Sequence, residues 1–215
     1  MASSERPPEA VRVAVFAKAP VPGQVKTRLA GLLGPDGAAA LQAGLVRRAL
    51  STAIEARVGP VELHCAPDEH HEFFVRCAER FHVTLVPQRG ADLGERMHAA
   101  FRDAFDAGSA LIVIGSDCPA LTTADLHEAR DALRETPAVI APAEDGGYVL
   151  IALAHDVPRL FDGVDWGTGA VLRQTRARFA EAGIRCVELA ERWDVDRPED
   201  YARLQAEGLL QEVLS

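Results

Sequence analysis

Residues 11–29, VRVAVFAKAPVPGQVKTRL, decide the fold that the sequence predicts. The first half is short, apolar and β-branched, and Pro20 and Pro22 follow it, so it predicts a buried strand. The second half is a loop with cations, a hydroxyl and turn-forming residues, namely Lys18, Pro22, Gly23, Lys26, Thr27 and Arg28. Lysine and arginine bind phosphate oxygens, and glycine lets backbone amides approach them closely. The stretch therefore predicts a nucleotide-phosphate site after the first strand, with a basic surface turn as the alternative.

The composition is that of a globular domain. The 215 residues are 48% hydrophobic and 26% charged, which is ordinary for a chain with a sizeable core. The formal net charge of −9 argues against an extended nucleic-acid surface. The four cysteines show no CxxC spacing, so we expect reduced, buried thiols and no metal–thiolate centre.

Targeting and membrane signals are not evident in the sequence. No apolar run approaches the ~20 residues of a membrane span, and the polar start MASSERPPEA is unlike a secretory signal. We therefore expect no membrane association and a cytoplasmic protein. Residues 1–9 are predicted to be a disordered lead-in to a single domain that covers residues 10–215.

Strand and helix patterns alternate as far as about residue 135, and the second half is mixed. After the first strand, strands are predicted at residues 61–65, 83–87, 110–114, 138–142, 148–153 and 185–189. Helices are predicted at residues 37–57, 67–80, 93–107, 123–134, 170–182 and 198–207. This order favours an α/β, three-layer sandwich with a mostly parallel sheet. Ligands of such sheets bind at the carboxyl ends of the strands, so the loops after Ala19, Gly115 and Ala190 should open onto one crevice.

Asp117 follows the most apolar strand pattern of the chain, at residues 110–114. An unpaired acid is costly to bury at a strand end, and Thr122 and Thr123 already serve to cap the next helix. We therefore favour a functional carboxylate over a helix cap. Because Mg²⁺ prefers one or two carboxylates together with phosphate oxygens and water, Asp117 is predicted to bind a divalent cation beside a nucleotide.

A second acidic cluster is WDVDRPED, at residues 193–200. Asp194 and Asp196 point the same way if this segment is extended. Two like charges on one face repel unless a cation lies between them, which indicates metal binding. Asp196 could instead cap the helix that begins near Pro198, and both interpretations stay open.

A third cluster lies in a predicted hairpin turn and comprises Glu144, Asp145, Gly146 and Gly147. Asp-Gly is a common hairpin signal, so a plain turn is one interpretation. In the other, the glycines let a ligand pass close to the backbone while Asp145 binds or deprotonates an acceptor hydroxyl. Trp166 and Thr168 could shape an acceptor pocket nearby, or the tryptophan could simply anchor their loop.

Five segments resemble, in order, a bacterial family of glycosyltransferase-A-like proteins, a domain-of-unknown-function family (DUF2064). They are FAKAPVPGQVKTRL, GADLGERM, GSDCPALT, PAEDGGYVLIAL and DVDRPEDY, and they span about residues 11–205. Some members of that family are linked to arsenosugar biosynthesis as glycosyltransferases. More distantly, the chain is similar to the molybdenum-cofactor and phospholactate guanylyltransferases, which share the sugar-nucleotide-transferase fold.

The resemblance implies a nucleotide held by the loop of residues 18–28, together with Asp92 of GADLGERM. It also implies Mg²⁺ or Mn²⁺ at Asp117, with Asp194 or Asp196 as a further ligand. The chain departs from the related motifs in two ways. Its loop has a single glycine before Thr-Arg where nucleotidylyltransferases have several, and Asp117 stands alone where many glycosyltransferases have a D-x-D pair.

Three functions are compatible with these features. The first is glycosyl transfer from a nucleotide-sugar to a small hydroxylated acceptor, with Lys26 and Arg28 at the departing diphosphate and Asp145 at the acceptor. The second is nucleotidyl transfer with release of pyrophosphate. The third is nucleotide binding without catalysis. The base, the sugar, the acceptor and the oligomeric state are not predicted.

Overall fold

The strand that opens the chain lies inside a seven-stranded sheet. A computed structural model describes residues 10–214, so the predicted lead-in at residues 1–9 lies outside the described residues. The elements are β1 (Ala10–Lys18), α1 (Ala30–Ala56), β2 (Val61–Ala66), α2 (Glu72–Phe81), β3 (Thr84–Pro87), α3 (Leu93–Asp106), β4 (Ser109–Gly115), α4 (Thr123–Ala132), β5 (Ala138–Pro142), β6 (Tyr148–Leu153), α5 (Val171–Glu181), β7 (Cys186–Glu188), α6 (Pro198–Ala206) and α7 (Leu209–Leu214).

The sheet is parallel except for one strand. Its order is β3-β2-β1-β4-β6-β5-β7, and β6 runs antiparallel to both of its neighbours, β4 and β5. Because β5 therefore runs in the direction of β4, the turn that joins β5 to β6 lies at the carboxyl edge of the sheet. The loops after β1 and β4 leave from the same edge.

Helices cover both faces of this sheet. On one face α1, α2 and α4 pack against Val13 and Val15 of β1. On the other face α3 and α5 pack against Ala14 and Phe16 of the same strand. Alternate side chains of β1 thus enter two separate cores, as expected of a strand that is buried on both faces. The predicted three-layer α/β sandwich with a mostly parallel sheet is confirmed.

Helix α1 is divided near its start. Gly34 has φ 71° and ψ 166°, and Pro35 follows it. Glycine adopts this positive φ without a steric penalty, and proline suits the first turn of the helix that follows. The sequence pattern predicts a helix only beyond this point. The additional turns continue from a short 3₁₀ turn, Thr27–Leu29, which ends the cationic loop.

The same region corrects the expectation that no apolar run is long enough to span a membrane. Residues 27–56 have the length and composition of such a span, but 44% of their most apolar window is buried inside the protein. Val46, Leu50 and Ala53 lie in the core that α1 shares with β1. Leu41 and Leu45 of the same helix pack in a second core with Trp193, so much of its apolar surface is covered by the protein.

A helix that the sequence pattern does not predict, α7, packs on α1. A Cβ atom added to Gly44 would lie 2.0 Å from the carbonyl oxygen of Val213, so a larger residue would separate the two helices. Val213 also belongs to a small core with Trp193 and Val195. This core fixes residues 193–195 against α1.

The four cysteines, all within the described residues, are unpaired. Cys65, Cys77 and Cys118 are buried, as predicted, and Cys186 is half-buried. Burial raises the pKa of Cys77 to about 11 and that of the other three thiols to about 12. These thiols therefore stay protonated and unreactive near neutral pH.

Candidate active site

Hydrogen bonds between backbone groups join three segments at the carboxyl edge of the sheet. The amide of Val195 donates to the carbonyl of Asp117 over 2.9 Å, and the amide of Glu144 donates to the carbonyl of Arg192 over 3.0 Å. The loop after β4, the turn after β5 and the segment after β7 thus lie side by side. The expectation that loops of distant sequence open onto one crevice is confirmed for these segments.

The cationic loop reaches the same place through Lys26. Its Nζ lies 2.9 Å from Oδ2 of Asp117, and only 4% of the lysine side chain is exposed, against 45% of the aspartate. Lys26 has φ 47° and ψ 41°, a left-handed conformation, where the following 3₁₀ turn begins. The predicted meeting of a cation from the first loop with the acid of the middle strand is therefore present.

Two polar residues that the sequence analysis missed orient Asp117. The hydroxyl of Ser116 donates to Oδ1 of Asp117 over 3.3 Å, and the side-chain amide of Gln42 donates to Ser116 over 3.4 Å. Both Ser116 and Gln42 are buried. A glutamine within the apolar pattern of α1 is the sequence signal that could have indicated this contact.

Arg28 forms an ion pair with Asp196 across the mouth of the site, and both side chains are largely exposed. Asp196 does not cap α6, so that interpretation is wrong. The cap is instead provided by Asp200, whose carboxylate accepts hydrogen bonds from the amides of Arg197 at 2.7 Å and Asp196 at 3.0 Å. A carboxylate three residues inside the helix can reach back to these free amides.

A cleft of about 310 Å³ opens beside these residues. Its lining consists of Arg28, Glu144, Asp145, Gly167, Thr168, Gly169, Trp193, Asp194, Asp196, Arg197, Glu199 and Asp200. Six of these side chains are carboxylates and two are guanidinium groups. The cleft is therefore electronegative, and an anion would enter it only together with cations.

Asp194 lies within electrostatic reach of two other carboxylates, those of Asp145 and Asp117. Its pKa is raised to about 6, chiefly by burial and then by the carboxylates of Asp145 and Asp117, while Lys26 acts in the opposite direction. Trp193 and Val195 on either side of it are buried, so the segment alternates as an extended chain does. Asp194 and Asp196 accordingly face one cleft, as predicted.

The turn after β5 is held tightly by its glycines. Gly146 has φ +88°, and a Cβ atom there would lie 2.5 Å from the carbonyl oxygen of Gly169. The amide of Gly147 donates to Oδ1 of Asp145 over 2.8 Å. Gly146 and Gly147 thus shape the turn and do not line the cleft, whereas Glu144 and Asp145 do. Gly146 and Gly147 are therefore arranged as the plain-turn interpretation expects, whereas the carboxylates of Glu144 and Asp145 face the cleft.

Arg203 of α6, another residue that the sequence analysis missed, contacts two residues of the cleft lining. Its guanidinium lies 4.4 Å from the centre of the Trp193 ring. It also donates to both carboxylate oxygens of Glu144 at 3.0 Å. Stacking on an aromatic face and pairing with a carboxylate are both typical of arginine. The two acidic segments are therefore joined through α6.

The two candidates for an acceptor pocket lie in different surroundings. Thr168 lines the cleft, and its hydroxyl donates to the carbonyl of Asp165 over 2.7 Å. Trp166 packs instead against Tyr148 and Phe161 and is absent from the cleft lining. The tryptophan therefore anchors the loop that presents Thr168.

The remaining residues predicted to bind nucleotide lie outside the cleft. They are Lys18, Pro22, Gly23 and Thr27, which are exposed on the first loop, and Asp92. Asp92 caps α3 by accepting a hydrogen bond from the amide of Glu95 over 2.9 Å. Contact of these residues with a nucleotide stays a prediction.

The donor set at Asp117 is suitable for a hard divalent cation. Asp117 and Asp194 offer carboxylate oxygens, the ligands that Mg²⁺ and Mn²⁺ prefer. Residues 10–214 contain no group of three or more His, Cys, Asp or Glu side chains arranged to hold a metal. The ammonium of Lys26 lies beside Asp117 and also acts on Asp194. The chemistry of these carboxylates therefore fits a divalent cation.

The fold is that of the nucleotidyl and nucleotide-sugar transferases. Within that class, the chain belongs to the bacterial family described as "Uncharacterized protein conserved in bacteria (DUF2064)", which matches residues 49–168. The family predicted from the motifs is therefore confirmed.

Two relatives match almost the whole chain. A phosphoenolpyruvate guanylyltransferase of Rubrobacter xylanophilus is 28% identical over 206 residues, which are 93% of this chain and 97% of the relative. A solved structure from Desulfovibrio desulfuricans G20, described provisionally as a nucleotide-diphospho-sugar transferase, is also 28% identical. It has a TM-score of 0.81, with 95% of this chain and 97% of that chain covered.

More distant structures share the fold alone. One is CMP:2-keto-3-deoxy-manno-octonic acid synthetase in complex with CTP, with 15% identity, a TM-score of 0.60, and 94% of this chain and 100% of that chain covered. Another is the 4-diphosphocytidyl-2C-methyl-D-erythritol synthase of Anaerococcus prevotii. It has 11% identity and a TM-score of 0.64, with 93% of this chain and 96% of that chain covered.

Proposed function

We propose that this chain transfers a glycosyl group from a nucleotide-sugar to a small, neutral, hydroxylated acceptor, with Mg²⁺ or Mn²⁺ bound at Asp117. The observation that carries the proposal is the electronegative cleft that adjoins the Lys26–Asp117 ion pair. Asp194, which lines the cleft, lies within electrostatic reach of both Asp117 and Lys26, so a cation and a carboxylate lie close to a space for an acceptor.

The charge of the cleft argues for a neutral acceptor. Six carboxylates face two guanidinium groups, so a carboxylate or phosphate on the acceptor would be repelled. Hydroxyl groups, in contrast, donate strong hydrogen bonds to carboxylates. Glu144 and Asp145, at the tip of the turn after β5, are placed to receive such donors, and Thr168 faces the same space.

Four residues of the loop and the cleft have assigned roles in the reaction. The bond between the anomeric carbon and the diphosphate oxygen breaks, and a bond from that carbon to the acceptor oxygen forms. The proton of the attacking hydroxyl passes to Asp145, and the nucleoside diphosphate departs. Lys26 and Arg28 stabilise the negative charge that develops on the leaving oxygen. Lys18, at the end of β1, is expected to bind the same diphosphate.

Asp117 and Asp194 are the residues that would hold the divalent cation, which supplies further charge neutralisation at the diphosphate. Once phosphate oxygens are present, Lys26 is free to leave Asp117 and bind them. Asp196, which pairs with Arg28, is the alternative second ligand.

The proposal is tested with a panel of nucleotide-sugars and neutral polyols. Release of the nucleoside diphosphate is measured with Mn²⁺, with Mg²⁺ and with a chelator. We expect metal-dependent release that Asp117→Asn abolishes and that Asp103→Asn, on the outer surface of α3, leaves unchanged. If no nucleotide-sugar is bound or cleaved with either metal, the proposal is wrong.

A second candidate, nucleotidyl transfer, is favoured by the similarity to the guanylyltransferase. In that reaction an acceptor phosphate attacks the α-phosphate of a nucleoside triphosphate, and pyrophosphate leaves. The three cations Lys18, Lys26 and Arg28 would suit a triphosphate. Pyrophosphate release from GTP or CTP with phosphorylated acceptors would support this candidate over glycosyl transfer. Nucleotide binding without any turnover, unchanged by Asp117→Ala, would instead support a non-catalytic protein.

A further inference from the structure

A buried carboxylate at the start of α4 accepts more hydrogen bonds than helix capping requires. Asp125 is only 2% exposed. Its Oδ2 accepts from the amide and the hydroxyl of Thr122, each at 2.8 Å, and from Nε of Arg192 at 3.2 Å. Its Oδ1 accepts from Nη2 of Arg192. The capping box accounts for the contacts with Thr122, but not for the arginine that comes from the other end of the chain.

The backbone of Arg192 is part of the site. Its amide donates to the carbonyl of Pro142 over 2.9 Å, and its carbonyl accepts from the amide of Glu144 over 3.0 Å. Arg192 thus lies beside the strand end from which the turn with Asp145 begins. Two residues further along the chain is Asp194, which lies within electrostatic reach of Asp145 and Asp117.

Thr122, which Asp125 holds, starts α4 only a few residues after Asp117. The Asp125–Arg192 pair therefore joins the loop of Asp117 to the segment of Asp194, and Arg192 in turn joins that segment to the turn of Asp145. Each of the three acids of the site belongs to a different one of these segments. Without this pair, their mutual distances would depend on backbone contacts and on Arg203.

We infer that Asp125 and Arg192 are positioning residues, which hold Asp117, Asp145 and Asp194 at the spacing that the divalent cation and the acceptor require. This inference rests on the proposed function for what the acids bind. The pair itself touches neither ligand, because Asp125 is buried and Arg192 is absent from the cleft lining.

The planar fork of arginine is needed for this role. Arg192 meets Asp125 through two nitrogen atoms, which fixes its angle as well as its distance. Lysine would keep the charge but supply a single point of contact. Arg192→Lys therefore loosens the geometry while it leaves the buried charge of Asp125 compensated, whereas full removal of a buried partner is strongly destabilising.

The test compares Arg192→Lys with Arg176→Lys. Arg176 meets Glu188 through two nitrogen atoms as well, but this pair lies between α5 and β7, away from the cleft. Hydrogen exchange of residues 142–147 and 192–196 is measured well below the melting temperature, without metal. We expect Arg192→Lys to accelerate exchange in these two segments selectively, and Arg176→Lys to leave them unchanged. Unchanged exchange, or equal acceleration throughout the sheet, would overturn the inference.

The second readout is the Mn²⁺ affinity of the same folded proteins. We expect about tenfold weaker binding in Arg192→Lys, the usual effect of losing a residue that orients metal ligands, and wild-type affinity in Arg176→Lys. Equal affinities in all three proteins would contradict the inference. If the wild type itself binds no Mn²⁺, the metal part of the proposed function fails, and hydrogen exchange alone decides the positioning role. Asp125→Asn serves as the second variant if Arg192→Lys does not fold.

Discussion

The ammonium of Lys26 lies 2.9 Å from the carboxylate of Asp117, although one residue follows the first strand and the other follows the fourth. The lysine is almost fully buried by this contact, whereas nearly half of the aspartate is exposed. A cation of the chain thus lies beside the carboxylate that we assign to a divalent metal. The two positive charges would compete for the same carboxylate, and a nucleotide would separate them by drawing the lysine to its phosphates.

We expect Lys26→Met to strengthen metal binding and to weaken nucleotide binding. Methionine keeps the length of the side chain and removes the charge that competes for Asp117. Mn²⁺ affinity without nucleotide should rise about tenfold, which corresponds to roughly 1.4 kcal/mol. Nucleoside diphosphate affinity should fall, because a charge-assisted contact is lost. Electron paramagnetic resonance of free Mn²⁺ and calorimetry measure these changes, and weaker Mn²⁺ binding in the variant would contradict the competition.

We expect Asp194→Asn to stabilise the protein in a pH-dependent way. The folded-state pKa of Asp194 is raised to about 6, above its ordinary value, so the folded protein loses stability as the pH rises from about 4 to 6. The variant removes that cost. Because the carboxylate is partly exposed, the gain at pH 8 should be roughly 1–2 kcal/mol.

Thermal unfolding of wild type and Asp194→Asn in a chelating buffer checks this prediction. The variant should melt higher at pH 8, and the difference should nearly disappear near pH 3, where Asp194 is protonated in both the folded and the unfolded wild type. A difference that is the same at both pH values would show that the effect does not come from the ionised carboxylate.

Arg28→Gln should affect ligand binding far more than stability. Its ion pair with Asp196 is exposed on both sides, and such pairs contribute about 0–1 kcal/mol to folding. Loss of a guanidinium contact to a diphosphate should weaken nucleotide binding by roughly 10-fold or more. Arg89→Gln is the matched control, since Arg89 forms an exposed pair with Asp103 elsewhere. Equal nucleotide affinity in the two variants would remove Arg28 from the site.

Gly146→Ala should distort the turn that carries Asp145. Its φ is +88°, and the added Cβ would lie 2.5 Å from the carbonyl oxygen of Gly169. Gly183→Ala is the matched control, because Gly183 has φ +66° with nothing within 4 Å of the added atom. The control should lose about 1 kcal/mol of stability from backbone strain alone, and Gly146→Ala should lose clearly more. Chemical denaturation of both variants measures the difference.

Local patterns predicted the sheet well, because strands with two buried faces leave a continuous apolar signal. The strands at residues 138–142 and 148–153 have the predicted bounds. The start of α1 and all of α7 were missed, since short helices beside glycine and proline depend on tertiary packing. The predicted meeting of Lys26 with Asp117 followed from topology, because parallel strands present their loops at one edge.

The supports of the site could not be predicted in this way. Ser116, Gln42, Asp125, Arg192 and Arg203 act through contacts between elements that are far apart in the chain. Their residue types are common on helices and loops, and only Gln42, a polar residue within the apolar pattern of α1, stands out locally. For Asp196, the local pattern offered a helix cap that the structure does not show. The carboxylate of Asp200 accepts the hydrogen bond at the start of α6 instead.

Because β6 runs antiparallel to β5, the residues that we assign to the acceptor lie in a hairpin of their own, apart from the loops that we assign to the nucleotide. The tight hairpin formed by β5 and β6 contributes Glu144 and Asp145, while the donor loop and Asp117 come from β1 and β4. Under the proposed function, sequence changes within residues 143–147 would therefore alter the choice of acceptor alcohol and leave the nucleotide loop unchanged. Relatives that share one donor chemistry but modify different products would be expected to diverge first in this hairpin.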